Sequence, residues 1–232
     1  MPHAKDTTEQ PGRPDRTGRP VPPERPEKPR RRGAARGRIL DAAARRFYAD
    51  GVAATGIDTI TAEAGVAKMS LYNNFASKDD LVRAYLQARH EEWLGLYERR
   101  LAGAGNPREG VLAVFEAYAD HADQAYDHGF RGCGLLNAAA ELPNGHEGRT
   151  VVRRHKEEVE ALLVAHLQEL LPGRPDDAAA TAEHLAFLLE GAIVRSGLEG
   201  DGARMRHARE LAARLLDALP GGPAGTFAEN GR

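Results

Sequence analysis

The chain is 232 residues long, 41% apolar and 28% charged, with a formal net charge of −2. That length suits one or two domains with a buried core, and no apolar run approaches the roughly 20 residues of a membrane span. No charged-then-apolar leader opens the chain, and a single cysteine, Cys133, excludes an intramolecular disulfide and any CxxC metal or redox motif, so a soluble cytoplasmic protein without cofactor is expected.

Eight of the fourteen prolines fall in the first 29 residues, where large apolar side chains are almost absent. Such a segment cannot bury enough surface to offset its chain entropy, so residues 1–33 read as a disordered Pro/Arg-rich tail and order should begin near Ala34 or Ala35. Ile39, Ala43 and Phe47 recur at spacing four with Leu40 and Ala44 beside them, which predicts an amphipathic helix ending near Asp50-Gly51. Short helices follow over about 58–64 and 68–74. Ser77 ahead of Asp79 and Asp80 makes an N-cap with an acidic first turn for a long helix, about 78–101, with Leu81, Val82, Tyr85, Leu86, Trp93 and Tyr97 at its apolar positions. Gly103-Ala104-Gly105-Asn106-Pro107 breaks the pattern. Further helices are expected over about 108–128, 132–142, 146–171, 175–198 and 203–219, and residues 220–232 read as a loose end. No stretch sustains period-two alternation. The chain is predicted to be all-α.

Residues 56–75 carry the most specific pattern. Ile57, Ile60, Ala64, Val66, Leu71 and Phe75 can hold two short helices together across a tight turn at Gly65, leaving Lys68, Ser70, Tyr72, Asn73 and Asn74 outward. One bracing helix and one polar, exposed helix are what a helix-turn-helix needs to enter a DNA major groove. An Asn73 amide can make a two-point contact with adenine, Lys68 can reach a guanine edge or a phosphate, and Met69 can meet a thymine methyl. Lys78, at the start of the next helix, is placed to meet backbone phosphate. Residues 34–80 are therefore read as a DNA-binding domain and residues 81–219 as a larger helical domain.

The same stretch resembles the DNA-binding domain of the TetR family of bacterial transcriptional regulators. The likeness runs from Arg36-Gly37-Arg38-Ile39-Leu40-Asp41-Ala42-Ala43 through Phe47, Gly51, Ala54-Thr55, Ile60, Ala64-Gly65-Val66, Leu71-Tyr72, Phe75 and Lys78 to Leu81. It implies DNA contacts from Thr55, Lys68, Met69, Ser70, Tyr72, Asn73, Asn74 and Lys78, with Tyr72 on a phosphate and Asn74 where the family commonly has a phosphate-contacting histidine. Gly56, Asp58 and Met69 depart from the residues usual at those places. Arg30, Arg31, Arg32, Arg36 and Arg38 form a basic stretch next to this domain that could follow the DNA backbone as an arm.

In the larger domain Phe115, Tyr118, Phe130, Leu135, Leu136, Asn137 and Glu141 mix aromatic, aliphatic and sparse polar side chains. Ligand pockets between helices look like this, and so do ordinary cores. The candidate effector pocket is Trp93, Tyr97, Phe115, Tyr118, His121, Asn137 and Glu141. His121 and His128 are seven apart, which separates them by about 10 Å along a helix, too far to share one ion without other ligands, so no metal site is expected. Leu185, Leu188, Leu189, Ala192, Leu211 and Leu215, on a small-residue-rich helix and the final amphipathic one, are the candidate dimer interface. The reading is a homodimeric repressor released from a palindromic operator by a small-molecule effector, with no membrane partner. A DNA-associated regulator without an effector is the alternative, and no catalytic motif supports an enzyme.

Overall fold

The computed structural model describes residues 29–123 and 129–219, with side chains from Gly33 onward. The expected tail up to residue 28, His128 and the rest of 124–128, and the end 220–232 lie outside those residues, as do the side chains of Arg30, Arg31 and Arg32.

Among the described residues there are nine helices and no strand: α1 Pro29–Asp50, α2 Ile57–Ala64, α3 Lys68–Tyr72, α4 Lys78–Leu101, α5 Pro107–Ala122, α6 Gly134–Glu141, α7 Glu147–Leu170, α8 Pro175–Glu199 and α9 Ala203–Asp217. α1 starts at Pro29, earlier than the expected Ala34. Proline has no N–H to leave unpaired and suits a first helical turn, so the last proline of the rich stretch opens the helix. α3 stops at Tyr72, short of the expected Asn74, and the Asn74 side-chain amide donates to the Ser70 carbonyl at 2.7 Å.

Caps set the other boundaries. The Ser77 hydroxyl accepts from Asp80 N at 3.0 Å and the Asp80 carboxylate accepts from Ala76 N at 3.1 Å, a reciprocal pair that opens α4. Asn106 and Glu109 repeat the device at α5, with Pro107 in the first turn. Between α2 and α3, Gly65 adopts φ +60°, and the Val66 N–H reaches back to the Thr61 carbonyl at 3.0 Å. An L side chain pays a steric penalty in that conformation, so glycine makes the tight turn there.

α1, α2 and α3 pack around Ile39, Phe47, Ile60, Leu71 and Phe75, all buried. In the larger domain α5 is the central helix: Val111 to Phe115, Ala117 and Tyr118 are all buried, and α4, α7 and α9 pack around it. A helix apolar nearly all round must lie inside. α6 joins the two parts. Arg131, just before it, donates from its backbone N to Tyr48 Oη at 2.6 Å and from its guanidinium to the Tyr48 and Ala49 carbonyls, which caps the end of α1. The following turn has no slack. Gly132 sits at φ +84°, a Cβ on Gly134 would stand 2.9 Å from Tyr85 Oη, and a Cβ on Gly197 of α8 would stand 2.6 Å from Gly132 N. Residues 131–134 thus touch α1, α4 and α8 at once.

Candidate nucleic-acid interface and interior site

The buried apolar residues of α2 and α3 turn the opposite face of α3 to solvent. Met69 is 69% exposed and Tyr72 46%, and Lys68 and Asn73 are exposed beside them. A thioether and a phenol on the outside of a five-residue helix bury nothing within the chain, yet both suit a groove of bases and phosphates. Lys68 Nζ lies 2.8 Å from Asp58 Oδ1, and this hydrogen bond pushes the ammonium above its ordinary pKa. The pair is fully exposed and adds little stability. It accounts for the unusual Asp58, which holds Lys68 at the mouth of the α2–α3 turn.

Four of the expected DNA contacts are placed differently from the sequence reading. Thr55 is buried, and its hydroxyl donates to the Gly51 carbonyl at 2.6 Å, closing the turn after α1 instead of facing DNA. Asn74 is half-buried, with its amide spent on Ser70 as described, and Ser70 itself is only partly exposed. Lys78 reaches back to the Ala53 carbonyl at 3.4 Å. Polar side chains near helix ends find unpaired backbone groups first, which is why Thr55, Asn74 and Lys78 elude a reading by spacing. Of the arginine stretch, Arg36 lies over the Phe75 ring at 5.0 Å and Arg38 is exposed beside the Gly65 turn. Arg45 and Arg46 both bind Glu63 and fasten α1 to α2. Burial raises the Glu63 pKa, but those two hydrogen bonds outweigh it and hold the carboxyl below its ordinary value.

The second site lies between α4, α5 and α7. Trp93, Tyr97, Phe115 and Tyr118 are buried there. Trp93 stacks on Tyr97 at 5.7 Å and stands 5.1 Å from Tyr118 and 5.3 Å from His155. Tyr118 Oη bonds His155 Nε2 at 3.1 Å, and His155 Nδ1 meets His90 Nδ1 at 3.0 Å, so one imidazole donates to the other. Lys156 Nζ donates to Tyr118 Oη at 3.2 Å and pairs with Glu190 Oε1 at 2.7 Å. Burial opposes the Lys156 charge, yet Cys133, Tyr118 and Glu190 outweigh it and raise the pKa. Burial lowers His121 to about 4 and His155 to about 2. The sequence reading missed the polar residues of this interior, His90, His155 and Lys156. The only available hint was polar residues falling on the inward stripe of α4 and α7.

Asn137 and Glu141 are corrections. Asn137 Nδ2 donates to the Arg131 carbonyl at 2.9 Å, and Glu141 is exposed, with Oε2 accepting from Ala53 N at 2.7 Å. Glu141 therefore ties α6 to the loop after α1 and does not line the interior. The dimer candidates divide as well. Leu185, Leu189 and Ala192 are buried inside the chain, whereas Leu211 is exposed and Leu188 and Leu215 half-exposed. The outer face of α8 belongs to Phe187, 67% exposed, Val194, 51%, and Leu198, 83%, with Gly191 between them. At its upper end an open hollow of about 550 Å³ is lined by Ala180, Glu183, His184, Phe187 and Leu188.

A three-helix unit with an exposed reading helix, joined to a larger helical domain with an aromatic and polar interior, defines a helix-turn-helix DNA-binding protein with a second helical domain. Residues 39–85 match the model of the bacterial regulatory proteins of the tetR family. The chain is 43% identical over 170 residues to a probable HTH-type transcriptional regulator, ArpR, of Pseudomonas putida, covering 69% of this chain and 79% of ArpR. It is 35% identical over 94 residues to the HTH-type transcriptional activator FasR of Mycolicibacterium smegmatis, covering 39% of this chain, and 33% identical over 90 residues to the HTH-type transcriptional repressor KstR2 of Mycobacterium tuberculosis. The chain spans less than half the length of FasR and KstR2, 43% and 45%. A TetR-family transcriptional regulator from Streptomyces coelicolor shares 32% identity and a TM-score of 0.70, over 79% of this chain and 96% of that structure. The chain belongs to the tetR family of bacterial regulatory proteins. It is thus a DNA-binding transcriptional regulator and not an enzyme. Among the described residues no helix is long and apolar enough to cross a membrane.

Proposed function

We propose that the chain acts as a homodimeric repressor that leaves a palindromic operator when a small molecule enters the interior between α4, α5 and α7. One observation carries the reading. Among the described residues the exposed large apolar side chains fall in two patches, Met69 and Tyr72 on α3, and Phe187, Val194, Leu198 and Leu211 on α8 and α9. Large exposed apolar side chains grouped on one face mark interaction surfaces. The first patch suits DNA, and the second suits a copy of itself. A dimer supplies what one α3 lacks, because a single reading helix contacts too few base pairs for useful specificity. Pairing through α8 and α9 would set two α3 helices into successive major grooves, about 34–36 Å apart.

DNA contacts are assigned to Lys68, Met69, Tyr72 and Asn73, with Ser70 at the edge and Arg36 and Arg38 alongside. Release requires that the effector bind a conformer with a different α3 spacing more tightly than the DNA-competent one. The buried, unpaired polar atoms of α4 favour an effector over a regulator with a filled core. Repression follows from occlusion: a dimer on an operator excludes polymerase until it is released. Selection of bound fragments from genomic DNA, followed by transcription from the selected promoters with and without the protein, tests the whole reading. The expected result is a palindrome with half-sites one helical turn apart and lower transcription when the protein is present. Enrichment of no sequence would reject specific DNA reading, and higher transcription would reverse the sign.

A further inference from the structure

Asp58 stands in the first turn of α2 and Lys68 opens α3, so their contact, Oδ1 to Nζ at 2.8 Å, bridges the two helices of the helix-turn-helix. Side chains four apart share a helix face, which puts Lys68 on the side of Tyr72. The Asp58 side chain is 81% exposed, so its second oxygen is open to solvent, and the Lys68 ammonium keeps two further N–H donors. The helix dipole favours an acid anywhere in a first turn, and that preference does not account for a carboxylate held on the cation of the reading face. Facing DNA, such a carboxylate repels phosphate and occupies the one lysine of α3. As an exposed ion pair it adds little stability in exchange.

The pair has a complement on a base-pair edge. In the major groove G·C presents acceptors at guanine N7 and O6, followed by a donor at cytosine N4. O6 and N4 are partners within the base pair and stand about 2.9 Å apart, an ordinary hydrogen-bond length and close to that between Lys68 and Asp58. An ammonium over O6 and N7 with a carboxylate over N4 therefore meets two acceptors and one donor in the right order. A T·A pair offers O4 and N6 in the same order, but its methyl replaces the first acceptor and adenine N7 faces the carboxylate. C·G and A·T set a donor against the ammonium and an acceptor against the carboxylate. We infer that Asp58 and Lys68 act as one unit that reads the polarity of a single base pair in each half-site, taking G·C, tolerating T·A and rejecting C·G and A·T. The inference rests on the proposed reading role of α3. Lys68 alone finds an acceptor on every base pair, so the discrimination comes from Asp58.

The full chain selects from a duplex pool with a randomised core, and the bound fraction is sequenced for the wild type and four variants: Asp58→Ala, Lys68→Ala, the two together, and the exchange of Asp58→Lys with Lys68→Asp. All of them replace exposed side chains and leave the buried residues of α1 to α3 in place. The wild type should show one position per half-site at which G·C is preferred to C·G and A·T by about ten- to a hundredfold. Asp58→Ala should flatten that position while binding the pool as a whole more tightly. Its slope of log affinity against log salt should steepen by about 0.9, as Lys68 turns to a phosphate, and Lys68→Ala on that background should restore the wild-type slope. The exchange should turn the preference over to C·G, which an ion pair with a purely structural role would not do. An exchange variant that keeps the wild-type preference overturns the inference. So does an Asp58→Ala variant that melts lower and weakens every sequence alike, which would leave Asp58 a helix-stabilising residue. Tyr72→Phe and Asn73→Ala in the same pool separate the two claims. If they alter binding and the Asp58 and Lys68 variants do not, α3 reads DNA without this pair; if none of them alters it, α3 is not the reading element.

Discussion

Tyr72 and Asn73 are neighbours on the exposed face of α3, yet their chemistry divides the work between them. A phenol hydroxyl meets a phosphate whatever the sequence, whereas a carboxamide matches the paired donor and acceptor of adenine. Tyr72→Phe should therefore weaken binding by about 1–2 kcal/mol on every site tested, and Asn73→Ala should relax preference at one or two base pairs by about 1–3 kcal/mol each. Anisotropy titrations on the operator and its single-base-pair variants measure both, and unchanged binding by both variants would remove α3 as the reading element. These residues were legible in the sequence because the apolar positions Ile60, Leu71 and Phe75 fix which way α3 faces. Thr55, Asn74 and Glu141 were not. Each satisfies a backbone group at a helix end or loop, and nothing in spacing distinguishes such a contact from one with DNA or ligand.

α8 shows what a helix hides when both of its faces are apolar. Leu185, Leu189 and Ala192 point into the chain, while Phe187, Gly191, Val194 and Leu198 form a stripe outside it at spacings of four, three and four. Leucine content favoured the first set in the sequence, and only the packing of α7 and α9 against it decides the phase. Helix starts were legible where Ser77 and Pro107 open them, whereas α1 begins five residues before the expected Ala34 and α5 ends at Ala122 against an expected 128. A charge on the outer stripe tests its role. Leu198→Glu, at a site 83% exposed, should leave the folded chain intact and convert a dimer to a monomer. Sedimentation velocity reads the change, and operator binding should fall with it. A dimer that survives both Leu198→Glu and Phe187→Glu would place the interface elsewhere.

For the molecule as a whole, the buried His155 and the partly buried His121 make stability depend on pH. The folded pKa values of about 2 for His155 and about 4 for His121 lie below the ordinary 6.5. Below pH 6.5 the unfolded chain takes up protons that the folded chain refuses, so stability is complete above that pH and is lost as pH falls. The loss should approach about 1.4 kcal/mol per pH unit for each histidine, and about twice that for the pair, before carboxylates begin to titrate. Urea unfolding between about pH 7 and 5 measures it, and His155→Gln should halve the slope; a flat profile would mean both rings are solvated. The turn at residues 131–134 bears on behaviour of another kind. It is wedged against Tyr48 of α1, Tyr85 of α4 and Gly197 of α8 with no room for one extra methyl. With an effector held on α4, the balance between the two conformers would be set partly at that wedge, where neither ligand nor DNA touches the protein. A Gly197→Ala change, whose Cβ would stand 2.6 Å from Gly132 N, forces that turn to shift, and it moves the ligand concentration at which a promoter opens without altering a side chain that meets DNA or ligand. The dose threshold of such a regulator is heritable separately from what it senses and what it controls.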